Sequence, residues 1–107
     1  KKILFNQDNI LLKVDIEGDE YQILNVINKQ SNKINLLIIE FHNIAKNLIK
    51  IKQFLLKSKF KIFHLHGNNY SGTDKFGNPN VIEFTLINSK KFSIKKKKLI
   101  RNILYLA

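Results

Sequence analysis

Apolar residues along the chain follow two rhythms, and the change from one to the other outlines the fold. Residues 10–15 (ILLKVD) form a short, almost continuous apolar run that ends in an acid. Such a run predicts a buried parallel strand, covered on both faces. Residues 36–41 (LLIIEF), 60–66 (FKIFHLH) and 81–87 (VIEFTLI) are three more runs of strand length. Between them the period lengthens. After Asp19 and Glu20, residues Tyr21, Ile23, Leu24 and Ile27 recur at helical spacing, and polar residues from Asn28 to Asn32 predict the helix end. Over 44–57, Ile44, Leu48, Ile51 and Leu55 make one stripe, with Lys46, Lys50 and Lys57 on the wet side. Residues 67–80 hold three of the four glycines and the only proline, which predicts a long, turn-rich loop. A last helix is expected around Lys96 to Tyr105.

The order is therefore strand, helix, strand, helix, strand, loop, strand. Alternation of this kind predicts an α/β fold with a mainly parallel sheet. No helix separates the last two strands, and a loop of this length suits an antiparallel pair. The expectation is three parallel strands plus a final antiparallel strand, with flanking helices.

Length allows one small domain, and the apolar content of 44% is enough for a core. There is no cysteine, which excludes disulfides and thiolate metal sites. No apolar stretch approaches the roughly 20 residues that span a bilayer. The apolar part of KKILFNQDNI is too short for a signal peptide. Nothing argues for secretion, and the expected setting is cytoplasmic.

The net charge of +11 invites a nucleic-acid reading. Two features disfavour it. All but one of the basic residues are Lys, whereas base readout and bidentate phosphate contacts favour Arg. The charge is also uneven, because residues 90–101 (KKFSIKKKKLIR) hold seven bases and no acid. The remaining 1–89 carry 12 bases against 8 acids. The excess belongs to a basic tail, expected over 90–107 and separate from a domain over 1–89. Such a tail is either a solvated end or a contact for RNA or anionic lipid.

In open α/β sheets ligands bind outside the carboxyl ends of the strands. Strand one ends in Asp15, with Glu17 just beyond. Strand two ends in Glu40, Phe41, His42 and Asn43. Strand three ends in His64, Leu65 and His66, then Gly67, Asn68 and Asn69. Titratable groups thus converge at one edge. Each also has a plainer reading. Asp15 caps a helix or serves chemistry, and Glu17 is a solvated turn residue or joins it. Asp19 and Glu20 are read as partners of the helix dipole. Glu40 needs a partner if buried, either a lysine or the site itself. His42 and His66 are boundary histidines or functional ones, and His64, deeper on the strand, is read as structural. Asn68 and Asn69 suit a turn or a substrate contact. Asp15, Glu40 and His42 would suit an oxygen-loving divalent metal such as Mg²⁺, and His42 with His66 and a carboxylate would suit zinc. Alternatively, one of these groups acts as general base on a hydroxyl.

The blocks LLKVDIEGDEYQIL, LLIIEFHN, FKIFHLHGNNY and PNVIEFTLI resemble, in that order, the C-terminal half of FkbM-type methyltransferases. The most diagnostic match is a lysine–hydrophobe–Asp–x–Glu–Gly signature at Lys13, Val14, Asp15, Ile16, Glu17 and Gly18. The resemblance covers about residues 10–88. It implies a Rossmann-like sheet, of which these strands are the later ones. It implies S-adenosylmethionine as cofactor and methylation of a hydroxyl on a sugar, glycan or small metabolite. By it, Asp15, Glu17 and His42 are expected in catalysis. Asp15, Glu40 and His42 are expected near any metal, with His66, Asn68 and Asn69 toward the substrate. The chain departs from the family in having no glycine before Gly18. The family's glycine-rich cofactor half is therefore expected upstream of Lys1, which would leave the edge of strand one bare for self-association. The alternative is a non-enzymatic binding module or truncated remnant whose Lys-rich tail contacts RNA or an anionic membrane.

Overall fold

A computed structural model describes residues 5–16, 19–68, 72–91 and 102–106. The strands are β1 (Ile10–Val14), β2 (Ile34–His42), β3 (Phe60–Gly67), β4 (Val81–Asn88) and β5 (Asn102–Leu106). The helices are α1 (Leu24–Lys29) and α2 (Ile44–Lys57), with short 3₁₀ turns at Glu20–Ile23 and Ser31–Lys33. The fold is α/β, built on one five-stranded mixed sheet in the order β3-β4-β2-β1-β5. None of the helices among the described residues is long and apolar enough to cross a membrane.

β2 lies at the centre because it is the longest apolar run. Leu37, Ile39 and Phe41 on one of its faces are wholly buried. Burying each such side chain contributes about 1.5–3 kcal/mol. Parallel pairing sets Leu12 beside Leu37 and Val14 beside Ile39. On the other flank, Leu37 faces Leu86 and Ile39 faces Phe84. The Phe41 and Phe84 rings meet edge to face at 5.1 Å. Both crossovers, β1 to β2 through α1 and β2 to β3 through α2, step the same way across the sheet. Right-handed crossovers then put both helices on one face. There Leu24, Ile27, Ile51 and Phe54 join the strand residues in the core. The opposite face carries Leu11, Lys13, Leu36, Ile38, Glu40 and His42, all half-buried.

The expected strand directions hold. β1, β2 and β3 run the same way and β4 runs against them. What the strand order changes is position, because β4 sits between β2 and β3. β3 carries Lys61, His64 and His66, all exposed, and takes the edge; β4 is more apolar and takes the interior. His64, expected to be structural, is exposed.

The expected helix around Lys96 to Tyr105 is not formed over its described part. Residues Asn102–Leu106 are β5, parallel to β1, with Leu12 beside Leu104 and Val14 beside Leu106. The unpaired backbone of β1 is a stronger partner for this apolar stretch than an isolated helical turn. The edge of β1, expected to be bare, is thereby covered. Among the described residues the free edges are those of β3 and β5.

Candidate functional site

β1 and β2 lie side by side, and their carboxyl ends deliver Asp15, Glu40 and His42 to one place. One ligand atom from each lies within 4.8 Å of the others. Asp15 directly follows β1, and its backbone N–H donates to the Leu106 carbonyl at 2.8 Å, so β5 fixes the residue's position. Glu40 and His42 alternate with Phe41 along β2 and therefore share the face opposite the helices. Asn43 then adopts left-handed backbone (φ 51°, ψ 52°), which Asn tolerates, and the chain turns into α2. That turn ends β2 directly after His42.

The residue that organises the cluster is Glu20. The sequence reading makes it a helix-dipole partner, but it is fully buried. Its Oε1 accepts the His42 backbone N–H at 2.6 Å and lies 3.0 Å from His42 Nδ1. Its Oε2 has no hydrogen-bond partner among the described residues. A buried carboxylate strongly favours a donor, so Nδ1 of His42 carries a hydrogen directed at Glu20. Nε2, the other ring nitrogen, lies 3.8 Å from Glu40 Oε1. Tyr21, next in sequence, donates its hydroxyl to the His42 carbonyl, and its ring stacks on Phe41 at 5.5 Å. Burial, then the neighbouring Glu20 charge, raises the Tyr21 phenol to about 12, so it stays a donor at any ordinary pH. The two residues that open the first 3₁₀ turn thus clamp the last residue of β2.

Of the other predicted residues, Asn68 donates its backbone N–H to Val81 at 2.9 Å, which closes the β3–β4 ladder. His66 is exposed on β3 and pairs in register with Glu83, which in turn pairs with Glu40. His66 is thus two strands from Glu40, about 10 Å at ordinary strand spacing. It does not join His42, so the three-ligand zinc set expected from His42 and His66 is not assembled. Glu17 and Asn69 lie outside the described residues.

The charge environment is unusual for so basic a chain. Among the described residues no lysine nitrogen comes within 4.0 Å of the carboxylates of Asp15, Glu20 or Glu40. Lys13, two positions before Asp15, instead extends over the Tyr105 ring, 5.9 Å from its centre. The lysine partner allowed for Glu40 is therefore replaced by His42. Sequence reasoning missed Glu20 because an acid soon after a glycine and before an apolar period reads as a helix start. Only the contact with His42, 22 residues away, reveals its role.

No protein-family model matches this chain, and no curated protein matches it. Among solved structures it is similar to the crystal structure of the M1.HpyAVI–SAM complex. The identity is 11% and the TM-score 0.48, over 94% of this chain and 54% of the other. The chain thus spans about half the length of that structure.

Proposed function

We propose that this chain is the acceptor side of an S-adenosylmethionine-dependent methyltransferase that methylates a hydroxyl on a sugar, glycan or small metabolite. The observation that carries the reading is the convergence of Asp15, Glu40 and His42 at the carboxyl ends of β1 and β2. Those are the positions at which the FkbM-type resemblance expects catalytic groups, and the resemblance itself rests on residue blocks alone.

The chain has no glycine before Gly18, so the glycine-rich turn that the resemblance associates with the cofactor is not among its residues. S-adenosylmethionine would supply an electrophilic methyl group, held by a segment that the resemblance places upstream of Lys1. This chain's part is the acceptor. Glu20 fixes the His42 ring so that Nε2 faces the edge of the sheet, where Asp15 and Glu40 also point a lone pair. A hydroxyl entering there meets acceptors for its hydrogen and is held in one orientation. Positioning of this kind and removal of the proton are each worth orders of magnitude in rate.

The test is methyl transfer from labelled S-adenosylmethionine to a panel of sugars by the whole protein that carries this chain. Asp15→Asn and His42→Gln are each expected to lower turnover by about 10²–10⁴-fold. Unchanged turnover removes that residue from the reaction. Calorimetry of the 107-residue chain alone is expected to show weak or no binding of the cofactor. Micromolar affinity would refute the placement of the cofactor half elsewhere.

A further inference from the structure

We infer that Asp15, Glu40 and His42 form a binding site for a first-row divalent cation, with Glu20 as the buried residue that orients the histidine. The inference concerns the same edge as the proposed reaction, but it does not depend on which group is transferred there.

Three observations carry it. The first is the donor set. Two carboxylates and one imidazole nitrogen lie within 4.8 Å of one another, on two adjacent strands of one rigid sheet. Ligands about 2.1 Å from a metal sit roughly 3.0–3.5 Å apart, so small side-chain rotations bring these three atoms to coordinating distance. The second is the arrangement behind the donors. Metal-bound histidines characteristically give their other ring nitrogen to a carboxylate, which fixes tautomer and orientation. Glu20 does this for His42 at 3.0 Å, from a wholly buried position.

The third is charge. Asp15, Glu20 and Glu40 gather around His42, and among the described residues no lysine nitrogen lies within 4.0 Å of their carboxylates. His42 is the one basic group beside three acids, and a divalent cation supplies the counter-charge that the described residues do not.

The chemistry of the donors selects among metals. Mg²⁺ prefers oxygen ligands and near-ideal octahedral geometry, whereas imidazole suits Mn²⁺, Zn²⁺ and their neighbours. The imidazole therefore shifts the choice from Mg²⁺, expected from the sequence, to a transition metal.

The test is titration of the 107-residue chain with Mn²⁺, following the free ion by electron paramagnetic resonance, with Zn²⁺ as competitor. One Mn²⁺ per chain is expected to bind and to be displaced by Zn²⁺. Asp15→Asn, Glu40→Gln and His42→Gln are each expected to weaken binding at least tenfold, and Glu20→Gln by about 10–100-fold. Asp74→Asn, on the exposed loop before β4, should leave it unchanged. Circular dichroism melts show which variants are folded, and Glu40→Gln, at a half-exposed position, is the one least dependent on folding. No binding below millimolar Mn²⁺ overturns the inference, as does binding that survives Glu40→Gln in a folded protein. An unchanged affinity in folded Glu20→Gln removes Glu20 from the site. Loss of methyl transfer with Mn²⁺ binding intact would sink the proposed reaction and leave the cation site standing.

Discussion

At the amino end of the sheet the buried polar side chains are neutral (Ser31, Asn35 and Asn88), whereas at the carboxyl end the buried one is a carboxylate, Glu20. Asn88 shows the first solution. It is fully buried, and its Nδ2 donates to the Ser31 and Ile34 carbonyls at 2.9 and 3.1 Å. Its Oδ1 accepts the Lys90 backbone N–H at 3.1 Å. Gln30 Oε1 likewise accepts the Phe5 backbone N–H, and Lys33 Nζ donates to the Phe5 carbonyl. Lysines at this end are neutral-partner donors to backbone oxygen. At the other end Glu20 is the buried group, and His42 lies between it and Glu40. Both ends leave a buried oxygen without a hydrogen-bond partner among the described residues, Asn35 Oδ1 at the amino end and Glu20 Oε2 at the carboxyl end. What differs is charge: the amino end is held by neutral amides and backbone groups, whereas the carboxyl end gathers acids around one histidine.

The contrast is broken most severely at the amino end. Asn88→Ala strands two carbonyls and one N–H and should cost about 2–4 kcal/mol in urea unfolding. It should leave Mn²⁺ affinity unchanged. Glu20→Leu at the carboxyl end removes the acceptor of two N–H groups and should cost about 1–3 kcal/mol, while Glu20→Gln, which keeps an acceptor, should stay within about 1 kcal/mol of the parent. The gap between these two variants measures how much of Glu20's role is hydrogen bonding and how much is charge.

Tyr21→Phe is a smaller change, expected to cost about 1 kcal/mol at neutral pH through loss of the bond to the His42 carbonyl. Its pH signature is more telling. The Tyr21 phenol is raised in the fold from 10.0 to about 12, so the folded protein holds that proton more tightly than the unfolded chain. This contribution is fully present below pH 10 and is lost as pH rises toward 12. Stability curves of parent and Tyr21→Phe should therefore converge across that window.

The smallest effect sharpens the comparison by its sign. Glu40 and Glu83 face each other across β2 and β4, and like charges directly opposite are unfavourable. In metal-free buffer Glu40→Gln should stabilise the protein by a few tenths of a kcal/mol. A loss of more than about 1 kcal/mol would mean that Glu40 holds the fold together.

The apolar runs made four strands and both helices legible, because strand burial and helical stripes are local properties. The site was legible in part for the same reason. Asp15, Glu40 and His42 each end a run, and a parallel pair brings run-ends together. The insertion of β4 between β2 and β3 was not legible, since it depends on which of two strands tolerates an edge. β5 was hidden by its neighbours. A lysine-rich stretch precedes Asn102, and only the vacant backbone of β1 makes NILYL a strand. Glu20 was unreadable for a deeper reason, because its burial is decided by a histidine on another element.

The pairing of β5 with β1 has a consequence for how the molecule comes together. Ile10 lies beside Asn102 and the Asp15 N–H is bonded to Leu106, so contacts between residues more than 90 positions apart in sequence fix where Asp15 sits. Closing so large a loop is slow relative to forming helices or the β3–β4 pair. The apolar core around β2 needs none of these long-range contacts, whereas Asp15 is held only once β5 has docked on β1.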